Sequence, residues 1–172
     1  MKGNNIFIIM AILVGAYLIY TFWIKSASPD AGEMAPCFEE ESISGQMISL
    51  EELRGKYVIL DFWASWCPPC RIELPHLIEL QENNTDSQYE IVSIALEKNA
   101  SNAAIVAEKL GINWPRQIVR NSAFVSTDEL ARMYGVTDIP ASFLIDPKGK
   151  LIGQMTASEI KQYLKTEATT ID

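Results

Sequence analysis

Histidine, cysteine and positive charge are all scarce in this chain of 172 residues. It has one histidine, His76, and three cysteines, and 14 Lys and Arg stand against 22 Asp and Glu, so the formal net charge is −8. Because phosphate binding depends on clustered Lys and Arg, and no basic run occurs, we expect no nucleic-acid partner. A single histidine also makes a histidine-based metal site or a Ser-His-Asp triad hard to assemble.

Charge is absent from one long stretch near the N-terminus, Ile6–Ile24. A helix of about 19 residues spans roughly 28 Å, which is close to the hydrocarbon thickness of a bilayer. Aromatic residues crowd the far end of this stretch, as in the interfacial belt of membrane helices, namely Tyr17, Tyr20, Phe22 and Trp23. The sequence therefore predicts that residues 1–24 form a single-pass membrane anchor.

Charges on the two sides of this stretch predict its orientation. Lys2 and the terminal amine precede it, whereas Lys25 is followed by Asp30 and Glu33. This asymmetry favours a cytoplasmic N-terminus and an extracytoplasmic, periplasmic location for the rest of the chain. The alternatives are a cleaved secretory signal, which exports the domain to the same side, and a buried helix of a soluble domain.

The following polar stretch, rich in small residues, predicts a linker at 25–34, before a domain at 35–168 and a short tail at 169–172. Within the domain, patterns typical of strands alternate with patterns typical of helices, so we expect an α/β fold around a central mixed sheet. Gly45 lies between two short β-prone runs and predicts a hairpin. The predicted strands are residues 57–64, 89–96, 141–146 and 151–155, and the predicted helices are 71–82, 102–110, 127–134 and 158–166.

Two cysteines, Cys67 and Cys70, stand in the stretch WASWCPPC between a predicted buried strand and a predicted helix. Cys67 should therefore lie at a helix N-terminus, where unpaired N–H groups and the helix dipole stabilise a thiolate, the nucleophilic form of cysteine. Pro68 and Pro69 suit the first turn of a helix, which has no N–H partners to lose. At this spacing Cys70 lies beneath Cys67, so we expect Cys67 to attack and Cys70 to resolve.

Two other interpretations of the cysteine pair are weaker. Zinc needs four ligands, and the sequence offers four candidates in Cys67, Cys70, His76 and Cys37. Their spacing, however, matches no usual zinc pattern. A purely structural disulfide would close so small a loop that it constrains little of the unfolded chain. The pattern favours a redox couple that uses no metal and no cofactor.

Resolution by a covered Cys70 requires a base nearby, and two acids are candidates. Asp61 sits inside the otherwise apolar run YVILDFWA, where an unpaired carboxylate is costly. Glu73 follows Cys70 by three residues, on roughly the same face of the helix. Either carboxyl group, with a raised pKa, would transfer the proton through water. The alternatives are a solvated helix charge for Glu73 and a strand-end acid near solvent for Asp61.

The stretch DFWASWCPPC resembles the active-site segment of thioredoxins. The anchor, the hairpin and the line VTDIPASFLIDPKGKLIG resemble the membrane-anchored TlpA/ResA-type thiol-disulfide oxidoreductases of the thioredoxin superfamily, over about residues 35–165. The resemblance implies a thioredoxin-like α/β fold, in which helices flank the central mixed sheet, a β-hairpin extends the N-terminus and one transmembrane helix precedes the domain.

The resemblance also implies roles for single residues. Pro140 would be a cis proline opposite the cysteines, and Ile139 before it would contact the bound substrate peptide. Trp66 would shield the attacking sulfur, with core packing as the alternative. Glu73 falls on the buried acid of ResA-like proteins and Asp61 on that of ordinary thioredoxins. ResA-like members can lack the strand acid, so the division of proton transfer between the two stays open.

By this resemblance the chain would be a dithiol reductant of disulfide-containing exported proteins, such as apocytochrome c during its maturation. A membrane electron donor of the DsbD/CcdA kind would re-reduce it. The alternatives are a disulfide oxidant or isomerase, a thiol peroxidase of similar fold, and a non-enzymatic anchored binding module. Cys37 is left over, and we expect it to be buried and inert, with an intermolecular disulfide as the alternative.

Overall fold

The computed structural model describes residues 3–25, 29–84, 87–122 and 124–170, with side chains of the first helix over residues 6–19. The predicted anchor is helical, as α1 (Gly3–Lys25), and its large apolar side chains between Ile6 and Ile19 are exposed. The side chains of the aromatic residues predicted at its far end, Tyr20, Phe22 and Trp23, lie outside the described residues. Within the described part of the chain, no helix combines the length and the apolar character needed to cross a membrane.

The hairpin predicted around Gly45 is confirmed. Strands β1 (Glu39–Glu41) and β2 (Met47–Ser49) pair antiparallel. Gly45 lies in the turn with a φ of 81°, a left-handed conformation that glycine adopts without steric cost. A 3₁₀ turn, Glu51–Leu53, then leads the chain into the central sheet.

Over the residues that the structure describes, the central sheet has five strands. They are β3 (Tyr57–Trp63), β4 (Tyr89–Glu97), β5 (Arg116–Asn121), β6 (Ala141–Ile145) and β7 (Leu151–Gln154). Their order is β5-β4-β3-β6-β7, with β3–β4 and β4–β5 parallel and β3–β6 and β6–β7 antiparallel. The predicted mixed sheet is therefore confirmed.

Helices cover the sheet, and the central strands are buried on both faces, as their apolar runs predict. The helices are α2 (Pro68–Glu82), α3 (Ala100–Leu110), α4 (Glu129–Met133) and α5 (Ala157–Thr170). Alternate residues of β3 enter two core clusters. Leu60 and Phe62 belong to the cluster that includes Tyr134, the hairpin and α4, whereas Ile59 and Trp63 belong to the cluster that includes α2, α3 and α5.

One strand was not expected, because β5 reads RQIVRN and only its Ile118 is fully buried. It is an edge strand, and the hairpin covers its edge: the Ile43 N–H donates to the Gln117 carbonyl at 2.8 Å. The predicted helix 127–134 is also shorter than expected. A 3₁₀ turn, Val125–Thr127, precedes α4, whose first turn is capped by the side chain of Asp128.

Part of the predicted linker packs against the edge of the sheet. The Gly32 N–H donates to the Leu151 carbonyl at 2.7 Å, and the Leu151 N–H donates to the Glu33 carbonyl at 2.8 Å. Residues 26–28 of that segment lie outside the described residues. At the other end of the domain, α5 continues past residue 168 to Thr170, where the sequence predicts a tail, and residues 171–172 lie outside the described residues.

Candidate active site

Cys67 caps helix α2, and Cys70 lies in its first turn. The Cys67 Sγ accepts a hydrogen bond from the Cys70 N–H at 3.2 Å, and Pro68 and Pro69 occupy the first two helical positions. The two sulfur atoms form a disulfide with an S–S distance of 2.16 Å. Cys67 is 4% exposed and Cys70 is completely buried, so an incoming sulfur atom reaches Cys67 first.

The segment before Cys67 is held by β4 and α2. The Ser65 N–H donates to the Glu97 carboxylate, and the Trp66 Nε1–H donates to the Leu96 carbonyl at 3.2 Å. Arg71 of α2 donates to the Ser65 carbonyl, at 3.0 Å from its Nε. Trp66 is 51% exposed, so the alternative in which it packs in the core is wrong.

A groove opens beside the sulfur pair. The Ile139–Pro140 peptide bond is cis, as the resemblance implies, and the Ile139 carbonyl oxygen lies 3.6 Å from the Cys67 Sγ. The groove has a volume of about 400 Å³, and its walls are Trp66, Cys67, Pro68, Pro69, Val125, Thr137, Asp138 and Ile139. A substrate chain lying in this groove would bring a sulfur atom next to Cys67.

Asp61 lies inside the sheet, where the register places it between Ser93 of β4 and Ser142 of β6. It is 1% exposed, so the alternative of an acid near solvent is wrong. Its Oδ1 accepts a hydrogen bond from the Ser142 Oγ–H at 2.7 Å. Burial raises the pKa of Asp61 to about 7, the Ser142 hydrogen bond opposes that rise, and the charge of Glu73 adds to it. The sheet thus contains a carboxyl group that can take up or release a proton near neutral pH.

Glu73 lies on α2 and is half-buried. Its Oε1 accepts the N–H of Ala157, the first residue of α5, at 2.7 Å, so it is not simply a solvated helix charge. Glu73, Pro140 and Ser142 line the same cavity, whose volume is about 310 Å³. Ser142 therefore contacts the buried Asp61 and also lines the cavity that Glu73 lines.

The prediction that Cys37 is buried is wrong, because its side chain is exposed. Its neighbours Ala35 and Phe38 occupy the buried positions of this segment, which leaves Cys37 facing outward. Its Sγ–H donates a hydrogen bond to the Glu51 Oε1 at 3.8 Å. Among the residues that the structure describes, no group of three His, Cys, Asp or Glu side chains is arranged to hold a metal ion.

Two polar residues at this site were missed by the sequence analysis. Ser142 becomes a partner of Asp61 only through the antiparallel register of β3 and β6, which local patterns do not reveal. Glu97 could have been noticed, because it is an acid that ends the apolar run YEIVSIALE. A buried carboxyl at the end of a central strand requires a hydrogen-bond donor nearby.

Known proteins are similar to this chain in sequence and in fold. The model of the AhpC/TSA family matches residues 31–154. The thiol-disulfide oxidoreductase ResA of Bacillus thuringiensis (strain Al Hakam) is 32% identical over 175 residues, which cover 96% of this chain and 98% of that protein. The ResA protein of Bacillus subtilis (strain 168) is 31% identical over 174 residues, which cover 95% of this chain and 93% of that protein.

Solved structures of other proteins are also similar to this chain in fold. A thiol:disulfide interchange protein of the thioredoxin family from Chlorobium tepidum TLS superposes with a TM-score of 0.66 at 28% identity, covering 81% of this chain and 98% of that one. A thiol-disulfide oxidoreductase from Bacteroides fragilis NCTC 9343 has a TM-score of 0.70 at 24% identity, covering 78% of this chain and 98% of that one, and shows the fold alone. The chain therefore belongs to the AhpC/TSA family, has a thioredoxin-like fold and is a thiol-disulfide oxidoreductase.

Proposed function

We propose that the protein is a membrane-anchored, extracytoplasmic dithiol reductant of disulfides in exported proteins. The observation that carries this proposal is the position of Cys67, which caps α2 at the edge of the groove while Cys70 is buried beneath it. This arrangement separates an attacking sulfur from a resolving one. A non-enzymatic binding module would have no use for it.

In the proposed cycle, the Cys67 thiolate attacks one sulfur of a substrate disulfide, and the other substrate sulfur leaves as a thiolate and takes up a proton. The Cys70 thiolate then attacks the Cys67 Sγ, which breaks the mixed disulfide, and the second substrate sulfur leaves as a thiolate and takes up a proton. Two electrons pass to the substrate as the Cys67–Cys70 disulfide forms. The Cys70 N–H, which donates to the Cys67 Sγ, and the dipole of α2 favour the Cys67 thiolate on which the first step depends.

Asp61 and Glu73 would handle the proton that Cys70 must lose. Because Cys70 is completely buried, its thiol is deprotonated inside the protein before it attacks. With its pKa raised to about 7 by burial, Asp61 can accept a proton at neutral pH. Its contact with Ser142 supports a route to the cavity, where Glu73 would exchange the proton with solvent.

Trp66, Ile139 and Pro140 would bind the substrate. A substrate segment extended along the groove would place its backbone beside Ile139, whose carbonyl is 3.6 Å from the Cys67 Sγ. The half-exposed ring of Trp66 offers apolar surface on the other wall. These contacts would hold a substrate sulfur in line with Cys67.

We assign α1 as the anchor, with its N-terminus in the cytoplasm. The uncharged stretch Ile6–Ile24 and the exposed apolar side chains of its described part support this assignment, because a continuous apolar surface needs covering. The lipid bilayer would cover it, and a membrane electron donor of the DsbD/CcdA kind would return two electrons to the disulfide. The mass of the mature protein in membranes distinguishes a retained anchor from a cleaved signal.

The reduction potential tests the direction of electron flow. Full-length protein in detergent is equilibrated against dithiol buffers, where about 30 mV corresponds to roughly 1.4 kcal/mol. A value near the roughly −270 mV of thioredoxin supports the reductant, and a disulfide-containing apocytochrome c is then the first client to test. A value near the roughly −120 mV of DsbA would make the protein an oxidant. Matched Cys67→Ser and Cys70→Ser variants should both lose turnover of a disulfide substrate, with only Cys70→Ser accumulating the mixed disulfide.

A further inference from the structure

Glu97 is a buried carboxyl group that the proposed cycle does not use. It is the last residue of β4 and is 1% exposed. Burial of a carboxyl group without a partner is costly, so its contacts indicate why it is there. Its Oε1 accepts the backbone N–H of Ser65, which lies two residues before Cys67 in the chain.

This contact extends the pairing of β3 with β4 past the end of their backbone ladder. The ladder runs from Tyr57 opposite Tyr89 to Trp63 opposite Ala95. Beyond it the chain turns towards α2, and the Glu97 side chain supplies the acceptor for the Ser65 N–H that a strand carbonyl would otherwise supply.

The neighbouring contacts hold the same segment. The Leu96 carbonyl accepts the Trp66 indole N–H at 3.2 Å, and Arg71 donates to the Ser65 carbonyl from the side of α2. The Cys67 N–H then donates to the Ala64 carbonyl at 3.2 Å. The position of Cys67 at the groove therefore depends on the segment before it. The end of β4 holds that segment through two hydrogen bonds, one accepted by Glu97 and one by Leu96.

We propose that Glu97 is a positioning residue for thiol-disulfide exchange: as the acceptor for Ser65, it holds the segment 64–66 that presents Cys67 to the groove. It acts by accepting a hydrogen bond and not by transferring a proton. The proposal rests on thiol-disulfide exchange itself and is independent of the direction of electron flow proposed above.

The test measures attack by Cys67 alone. Full-length protein carrying Cys37→Ala and Cys70→Ser, which remove the other thiols, reacts in detergent with a dye-labelled disulfide peptide across a range of pH. Glu97→Ala should lower the second-order rate constant about tenfold, because it leaves the buried Ser65 N–H without an acceptor, a loss worth on the order of tenfold. Glu97→Gln, whose amide oxygen can accept the same N–H, should stay within about threefold of the parent, with the same pH midpoint.

Glu90→Ala is the matched control. Glu90 is an acid near the opposite end of the same strand, where it pairs with Lys56 and Arg116 and lies opposite Val58, far along β3 from the segment 64–66. This variant should be less stable without a change in the rate constant. If Glu97→Ala does not fold, Glu97→Asp takes its place. The shorter side chain keeps the carboxyl group but moves its oxygen out of reach of the Ser65 N–H.

Two results would overturn the proposal. A rate constant for folded Glu97→Ala or Glu97→Asp within twofold of the parent would mean that the contact serves stability only. A Glu97→Gln variant as slow as Glu97→Ala, or with a shifted pH midpoint, would mean that the charge or proton of Glu97 acts instead of its acceptor oxygen.

Discussion

Ser142 donates its hydroxyl hydrogen to the Asp61 Oδ1 at 2.7 Å, across the antiparallel pair of β3 and β6. The contact lowers the pKa of Asp61 against the larger effect of burial, which raises it. Ser142 also lines the cavity that Glu73 lines. Ser142 thus contacts one of the two acids whose division of labour the sequence left open, and it lines a cavity together with the other.

Ser142→Ala should raise the pKa of Asp61 further above its value of about 7, because the stabilising donor to the carboxylate is lost. The rate at which Cys70 resolves a mixed disulfide should then reach its plateau at higher pH. Stopped-flow measurements of product release across pH would show this shift. Ser142→Thr keeps the hydroxyl and should retain the parent profile, and equal profiles for Ala and Thr would contradict the assignment.

Asp61 should make the folded protein less stable as the pH rises. Its pKa is about 7 when folded against a model value of 3.8, so between these values the folded state holds a proton that the unfolded state has released. The free energy of unfolding therefore falls as the pH rises from about 4 to about 7. Asp61→Asn should be more stable than the parent at pH 8, by up to about 4 kcal/mol at 1.36 kcal/mol per pKa unit.

Urea unfolding of the oxidised protein at several pH values checks this prediction. The difference between Asp61→Asn and the parent should shrink steadily towards pH 4, where Asp61 is protonated in the folded protein and partly protonated in the unfolded chain. Ser93→Ala is a suitable control. Ser93 lies opposite Asp61 in the register of β3 and β4, but its hydroxyl oxygen accepts a hydrogen bond from the Trp114 indole N–H. A difference that stays constant with pH would show that packing, and not ionisation, separates the two proteins.

Glu73 should have two separable roles. Its Oε1 accepts the N–H of Ala157 at the start of α5, so Glu73→Ala should lose about 1 kcal/mol of stability, as for other lost helix caps. Glu73→Gln keeps an acceptor oxygen and should lose much less stability, yet it should slow resolution as strongly as Glu73→Ala, because an amide transfers no proton. Thermal unfolding and the resolution rate measure the two effects. If Glu73→Gln resolves as fast as the parent, Glu73 has only the structural role.

Cys37 should react in the native, oxidised protein, because its side chain is exposed while Cys67 and Cys70 are joined. A maleimide reagent should label one thiol per chain, and Cys37→Ser should abolish the labelling without changing exchange activity. Mass spectrometry counts the label. A covalent dimer in the parent on a non-reducing gel, absent from Cys37→Ser, would instead show an intermolecular disulfide.

Much of the fold could be predicted because its signals are local. Buried strands such as β3 and β4 read as continuous apolar runs, and the pair of prolines after Cys67 predicts a helix start. The edge strand β5 was not predicted from the sequence. Only its Ile118 is fully buried, so its pattern of apolar residues resembles that of a loop. Its strand character comes from pairing with β4, which is a long-range contact.

The sequence by itself determined the chemistry of this protein, since two cysteines at a strand–helix junction place a thiol where a helix N-terminus favours its anion. The tertiary structure decided which polar groups support that chemistry. Register alone brings Ser142 to Asp61, and the end of β4 alone brings Glu97 to Ser65. It also decided that Cys37 faces outward. Such contacts join residues far apart in the chain, so they depend on strand order and packing, which no short pattern encodes.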